Sequence, residues 1–439
     1  MYGYAGKILE VDLSTGRIDK VDIDEQDCRD FLEGSGLAAK IYLDRWPGDV
    51  DPLSPENPLI IMTGPWTGTR IPGGNRFAAC ARSPLTGLWG EASCGGYLGP
   101  ELKSAGYDGI IFTGASEKPV YLWVHGDDVE LRDAGDLWGK DTYETADILS
   151  AGAKEETGKK ARVAAIGQAG ELGVKFAAIV HDKHHIAGRT GMGAVMGSKN
   201  LKAIAVVGAG KKFEIADPDA MKAWRQGVME AIGDSLVVES LRAFGTNANL
   251  EVGAMLGDVP FKNWQLGEED DIVAAINGPT YADDILVKGH ACWACPIGCK
   301  RVVAVEEGPY LVEKGAGPEY ETICMLGSNL MNGNLASIAK GNELSNKFGV
   351  DTITLGEIIA LVMEAQEKGL LSVEECDGVE AKWGDPDAML KLLEMAARKE
   401  GFGARMAEGS RKLAEEIGPE AAEMAVQVRG LDAPAHDPR

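Results

Sequence analysis

No run of apolar residues in this chain approaches the roughly 18 that a bilayer-crossing helix needs. Its opening, Met1-Tyr-Gly-Tyr-Ala-Gly6, has neither the basic start nor the apolar stretch of a secretory signal. The expectation is a cytoplasmic protein. Positive charge is also scarce: 44 Lys and Arg face 68 Asp and Glu, for a net charge of -24. Such a surface repels phosphate backbones and anionic lipid, so neither nucleic acid nor a membrane is an expected partner. Cysteines number only eight in 439 residues. Without a secretory signal they argue for free thiols and metal ligation, not for a disulfide framework. Aromatics are few, at 6%, but the 45% apolar content is enough to fill the cores of two or three domains.

What the chain does contain is a tight group of thiols. Cys292-Trp-Ala-Cys295-Pro-Ile-Gly-Cys299 spaces three cysteines as C-x2-C-x3-C, with Pro296 and Gly298 to turn the chain. The spacing suits one metal ion or cluster. Three ligands are one short of the four that a structural zinc or an ordinary four-iron cluster takes from protein.

The texture changes near residue 210. Before it, residues 7–13 and 18–23 alternate apolar and polar side chains across a turn and read as a hairpin, as do 120–124 and 129–132. Further strands are expected at 59–62, 109–112, 163–166, 176–180 and 203–207. After it, helix signals dominate. Asp217-Pro218 and Asp385-Pro386 each place an N-cap before a proline at the first helical position. Thr354-Leu-Gly-Glu357 has the form of a capping box, and Gly369 that of a stop. The expected fold is α+β: a mainly β domain over residues 1–209, then a mainly helical domain over 210–439.

Three glycine-rich polar segments interrupt the β-rich part, at 73–87, 92–97 and 187–199. Glycine lets main-chain N–H groups close on an anion, and Arg76, Arg82 and Arg189 supply bidentate donors, so a phosphorylated cofactor is expected. None of the three fits a dinucleotide or Walker fingerprint. His184-His185 beside His181 could ligate a metal, but in a loop ahead of Ala187-Gly-Arg189 they are expected to face solvent, and His436 has no expected role.

Taken together, several segments resemble the tungsten-dependent aldehyde ferredoxin oxidoreductase family. They are Tyr4-Ala-Gly-Lys-Ile-Leu-Glu-Val-Asp-Leu13, Asn75-Arg76, Ser83-Pro-Leu-Thr-Gly87, Glu101-Leu-Lys-Ser-Ala-Gly-Tyr-Asp108, residues 193–203, the three cysteines and Gly317-Pro-Glu-Tyr-Glu-Thr322. The resemblance runs the whole length. It implies an N-terminal two-sheet base for two pterins under largely helical domains, a tungsten or molybdenum ion held by the pterin dithiolenes, and a [4Fe-4S] cluster nearby. Carried over by residue, Cys292, Cys295 and Cys299 are cluster ligands, and Arg76 lies between cofactor and cluster. Ser93, Gly95, Gly96, Arg189, Thr190 and Gly191 fall in loops that hold pterin phosphates and a bridging magnesium. Position 93 is usually Asn in the family, so a side-chain role there is in doubt. Asn346-Lys-Phe-Gly349-Val-Asp351 matches a pterin-binding pattern, with Asn for its first Asp and Val for Leu.

Glu319 and Glu321 are the carboxylates expected near the metal, with Glu319 slightly preferred as base. Cys324 is a candidate fourth ligand or metal-facing thiol, as Cys376 is a candidate ligand, against the plainer reading of a buried small hydrophobe. What the family carries beyond Gly430-Leu-Asp-Ala-Pro-Ala-His-Asp-Pro-Arg439 is absent. The expectation is therefore a fragment, a split subunit completed by another chain, or a variant without the site. The implied activity is oxidation of an aldehyde to an acid, or the reverse, with electrons leaving to ferredoxin or a partner iron–sulfur subunit, and an oligomer is expected. Two alternatives stand beside it: the metallopterin subunit of an aromatic acyl-CoA reductase-type complex, and a non-catalytic metal-binding or assembly subunit.

Overall fold

The computed structural model describes residues 1–437. The last two residues of the expected 210–439 part lie outside the described residues. The architecture is α+β. Six strands form the first sheet: β1 (Lys7–Asp12), β2 (Arg17–Asp22), β3 (Leu59–Thr63), β4 (Phe77–Arg82), β5 (Trp89–Cys94) and β6 (Gly109–Thr113), in the order β2-β1-β6-β3-β4-β5. Only its β1–β6 pair is parallel. Six more form the second: β7 (Val120–His125), β8 (Asp128–Asp133), β9 (Arg162–Ala165), β10 (Ile179–His181), β11 (His185–Ala187) and β12 (Leu201–Val207), in the order β11-β10-β9-β12-β7-β8.

Alternation along the strands decides the layering. Leu9, Val11, Ile61, Ile110 and Phe112 of the first sheet share a core with Leu122, Val124, Ile179, Ile204 and Val206 of the second. The intervening residues face outward. Ile8, Ile60, Met62 and Cys80 pack under the Gly34–Arg45 helix, and Trp123, Val163, Ala203 and Ala205 pack under the Thr142–Thr157 helix. Both sheets are therefore covered on both faces, and each such Leu, Ile or Phe contributes about 1.5–3 kcal/mol by leaving water.

One of the family-like segments turns out to be a structural clasp. Lys103 is fully buried between Glu33, at 3.3 Å, and Asp108, at 2.9 Å. Asp108 in turn accepts the N–H groups of Ala5 and Gly6. A buried cation is tolerated here because two carboxylates meet it.

The second half is largely helical, around a core that includes Ile323, Leu326, Ile338, Ile358, Leu361 and Leu392. Asp217 and Asp385 cap their helices as the sequence suggests. The capping box at Thr354 does not form. The helix spans Thr352–Glu367 and its N-cap is Asp351, whose carboxylate accepts the N–H groups of Ile353 and Thr354; Thr354 and Glu357 are buried inside the helix. A three-stranded antiparallel sheet that no alternation announced also lies in this half: β13 (Leu286–His290), β14 (Lys300–Val305) and β15 (Val312–Ala316). The cysteine segment is the connection from β13 to β14. Among the described residues no helix is long and apolar enough to cross a membrane.

Candidate active site

Strands β4 and β5 set the first part of the site. Their antiparallel register pairs Phe77 with Cys94 and Ala78 with Ser93, so one step further Arg76 faces Gly95. Arg76 Nε donates to Ser93 Oγ at 2.8 Å and Nη2 to the Ser93 carbonyl at 3.1 Å. This grip fixes an otherwise exposed guanidinium. It also occupies one lone pair each of the Ser93 hydroxyl and carbonyl, leaving one on each oxygen.

The cysteine loop lies against this corner. A Cβ on Gly95 would come within 2.8 Å of Cys292 Sγ and 3.5 Å of Arg76 Nη1, so only glycine lets the thiol and the arginine approach there. Trp293 N–H donates to Gly96 O, and the Tyr97 hydroxyl donates to Ala291 O. Gly96 has φ +97°, and a Cβ there would meet the rings of His181 and His185.

Those two histidines are buried, contrary to the solvent-facing expectation, because the β10–β11 hairpin turns them inward. His181 Nε2 accepts the N–H groups of Tyr97 and Leu98 while Nδ1 faces Val163 O at 3.0 Å, which makes it the neutral Nδ1–H tautomer. His185 Nδ1 stands 3.8 Å from Cys292 Sγ. Burial, then Lys300, holds the His185 imidazole far below its ordinary range, so it too is neutral.

Cys292, Cys295 and Cys299 are half-buried and share one loop. Burial pushes the Cys299 thiol up, with further contributions from Glu319, Cys292 and Cys295, while Lys300 opposes them. Lys300 pairs with Glu319 at 3.2 Å, and its ammonium is held in the charged form by Glu319 and by the Cys94 and Cys292 thiols, against the penalty of burial. Arg76 and Lys300 thus supply positive charge where thiolates would need it. Among the described residues no three His, Cys, Asp or Glu side chains converge on one point as a single ion requires. A cluster spreads its ligands around a larger body, and soft thiolates with cations beside them suit iron and sulfide.

A second group assembles around Arg189. Its Nε lies 3.3 Å from Asp351 Oδ2, and its Nη2 donates to Asp432 O at 2.6 Å. Thr190 sits at φ +67°, a conformation a β-branched residue rarely takes, and its hydroxyl reaches Glu91 O on β5. Gly191, at φ +75°, comes so close to Lys175 O that no side chain fits. Gly349, at φ +73°, ends the Leu335–Phe348 helix and accepts Ala178 N–H on its carbonyl, and Asp351 N–H donates to Phe176 O. The 346–351 motif is thus a turn between two helices, seated on the β-rich half. Asn346 Oδ1 is buried without a partner.

Glu319-Tyr320-Glu321 joins the two groups. Glu319 belongs to the cysteine side: it pairs with Lys300 and accepts the Thr246 hydroxyl at 2.8 Å. Glu321 belongs to the arginine side: Oε2 accepts Ala435 N–H at 2.8 Å and Oε1 faces His436 Nε2 at 3.7 Å. Burial raises the Glu321 carboxyl above its ordinary range, opposed by Ala435 N–H, His436 and Arg189. Glu319 is held by its ion pair, whereas Glu321 has an oxygen and an elevated pKa to use.

Cys324 has the surroundings of the plainer reading, a small buried residue. It is fully buried in the helical core, where Glu321, Tyr320, Ser328 and Asp258 are its electrostatic neighbours, and burial holds its thiol protonated. Cys376 is likewise buried in that core. Sequence reading missed Lys300 and Asp258, placed His185 in solvent and gave His436 no role. Of these only Lys300, adjacent to the last cysteine, carried a local signal.

Two family models match, "Aldehyde ferredoxin oxidoreductase, N-terminal domain" over residues 8–208 and "Aldehyde ferredoxin oxidoreductase, domains 2 & 3" over 223–439. The tungsten-containing aldehyde ferredoxin oxidoreductase of Pyrococcus furiosus is 43% identical over 100% of this chain and 71% of its own length. The chain belongs to the aldehyde ferredoxin oxidoreductase family. The enzyme of the same name from Thermococcus kodakarensis is 41% identical, again over 100% of this chain and 71% of its own. Among solved structures, the active-site complex BamBC of benzoyl coenzyme A reductase, in complex with 1,5-dienoyl-CoA, matches with a TM-score of 0.86 and 30% identity, covering 99% of this chain and 66% of that one. Membership makes the chain an oxidoreductase of a family that uses tungstopterin and a [4Fe-4S] cluster. The residues supply part of each holding set: three of the four thiols a cluster takes, flanked by Arg76 and Lys300, and the Arg189–Asp351 pair with the unpartnered Asn346 Oδ1 for a pterin edge.

Proposed function

We propose that this family member oxidises aldehydes to carboxylic acids, or reduces the acids, and passes electrons to a ferredoxin or a partner iron–sulfur subunit. The observation that carries the reading is the meeting of the thiol loop and the Arg189–Asp351 group on the two sides of Tyr320. Residues 1–209 would form the pterin base, and 210–439 would bring the cysteine loop and Glu319–Glu321 over it. When bound, the tungstopterin, or its molybdenum counterpart, supplies a two-electron acceptor beside a one-electron relay.

The chain's own residues have separable tasks. Arg189, Asp351 and Asn346 hold polar edges of the pterin, and Thr190 and Gly191 keep Arg189 aimed. Arg76, gripped by Ser93 and beside Cys292, sits between pterin and cluster, with Gly95 and Gly96 allowing the approach. Cys292, Cys295 and Cys299 ligate the cluster. Glu321, its pKa raised by burial, takes the proton released as oxygen is added to the carbonyl carbon.

Aldehyde-dependent viologen reduction by anaerobically purified protein tests this. Glu321→Gln should lower the rate by about 10²–10⁴-fold with tungsten and iron retained. A metal-replete wild type inactive on every aldehyde would count against it. The BamBC likeness favours the second reading, reduction of an aromatic acyl thioester, but at 30% identity it weighs less than the 40–43% shared with the aldehyde enzymes. Activity with an aryl-CoA and none with aldehydes would select it.

A further inference from the structure

We propose that His436 is the proton relay of this site, carrying protons between Glu321 and Asp258 at the solvent edge. The inference rests on Glu321 as the base. His436 Nδ1 stands 2.7 Å from Asp258 Oδ2, and Nε2 stands 3.7 Å from Glu321 Oε1, within ion-pair range and a small rotation from a hydrogen bond. Glu321 Oε2 is already taken by Ala435 N–H, so Oε1 is the oxygen left for proton exchange.

Its neighbours hold the imidazole in this position. It stacks on Tyr320, with centroids 4.9 Å apart and planes 25° from parallel, and the Tyr320 hydroxyl donates to Ala435 O at 2.7 Å. On its far side Asp437 N–H donates to Asp258 O. Its side chain is 48% exposed among the described residues, and those of Glu321 and Asp258 are 29% and 30% exposed. The charged groups facing it are Asp258, from the loop after the Leu250–Met255 helix, and Glu321, from the Tyr320–Leu326 helix. Arg189 and Asp351 lie beyond Glu321.

The chemistry requires such a path. Oxidation of RCHO with water to RCOOH releases two protons and two electrons. The tungstopterin and cluster, when bound, would take up the electrons, and the protons collected one after the other on Glu321 have to leave. His436 accepts each at Nε2 and, as imidazolium, releases one from Nδ1 to Asp258 or from its exposed edge to water. Histidine suits this because both ring nitrogens exchange protons near neutral pH.

The test uses the holoenzyme. His436→Phe keeps a stacking ring but cannot titrate. It should lower kcat for aldehyde oxidation by about tenfold to a hundredfold, with KM and the tungsten and iron contents unchanged. His436→Ala should recover part of the loss when imidazole is added to the buffer, which a packing role would not allow. An unchanged kcat and pH–rate profile in His436→Phe, or no imidazole rescue, overturns the relay. If the wild type oxidises no aldehyde, histidine-selective NMR decides separately. Asp258→Asn and Glu321→Gln should each shift the His436 ring resonances, and resonances indifferent to both overturn the coupling.

Discussion

Arg189 Nε stands 3.3 Å from Asp351 Oδ2, and this ion pair ties the loop after β11 to the N-cap of the Thr352–Glu367 helix, 162 residues later in the chain (351 − 189). Asp351 therefore does two jobs at once, capping a helix and neutralising an arginine. Asp351→Asn keeps a good cap and loses only the charge, whereas Asp351→Ala loses both. The alanine variant should be less stable than the asparagine variant by about 1 kcal/mol in denaturant unfolding, and both should bind less tungsten. Equal stability of the two would remove the capping role.

At the cysteine corner the limit is steric. Gly95→Ala puts a methyl 2.8 Å from Cys292 Sγ, so the loop has to move. The expected result is less iron per chain and a loss of about 1–3 kcal/mol of stability. Full iron occupancy in this variant would mean that the loop does not need the close approach.

Serine replacements separate the thiols. Cys292→Ser, Cys295→Ser and Cys299→Ser should each reduce iron content and alter the reduced cluster's EPR signal. Cys324→Ala should leave both unchanged and cost about 1 kcal/mol as a lost core contact. Iron loss in Cys324→Ala would restore it as a ligand.

Two carboxyls beneath the arginine group give the protein a pH-dependent stability. Burial, and next the Asp432 charge, pushes Glu357 up from 4.5 to about 8, and burial pushes Asp432 up from 3.8 to about 6. For a raised carboxyl the folded state binds its proton more tightly than the unfolded chain does. The stabilisation is full below the ordinary value and is lost as pH rises through the folded one. Stability should therefore fall between about pH 4.5 and 8, and Glu357→Gln should flatten that fall. Chemical denaturation across this range checks it, and a slope equal to the wild type's would contradict it.

The elements most legible in the sequence are those whose cause is local. The β1–β2 and β7–β8 hairpins follow from alternation, and the Asp217 and Asp385 helix starts from capping chemistry. Strands β4 and β5 were hidden because Phe77-Ala-Ala-Cys-Ala81 is nearly uniformly buried and shows no alternation, and glycines flank both strands. The Thr354 capping box failed because Asp351, three residues earlier, is the better cap and is also fixed by Arg189. The thiols, Arg76 and Arg189 could be named from their motifs. Choosing Glu321 over Glu319 could not, since it turns on Lys300 and Thr246 holding one glutamate while Ala435 and His436 face the other. His436 has no role legible in the sequence for the same reason: its partners, Asp258 and Glu321, are distant in the chain.

The central claim is that the thiol loop and the Arg189–Asp351 group hold an iron–sulfur cluster and a tungstopterin side by side. Elemental analysis of the anaerobically purified protein, with pterin fluorescence after oxidation, tests it most directly. The account predicts tungsten or molybdenum together with about four irons per chain and a pterin signal. Stoichiometric zinc, with neither pterin nor tungsten, would contradict it.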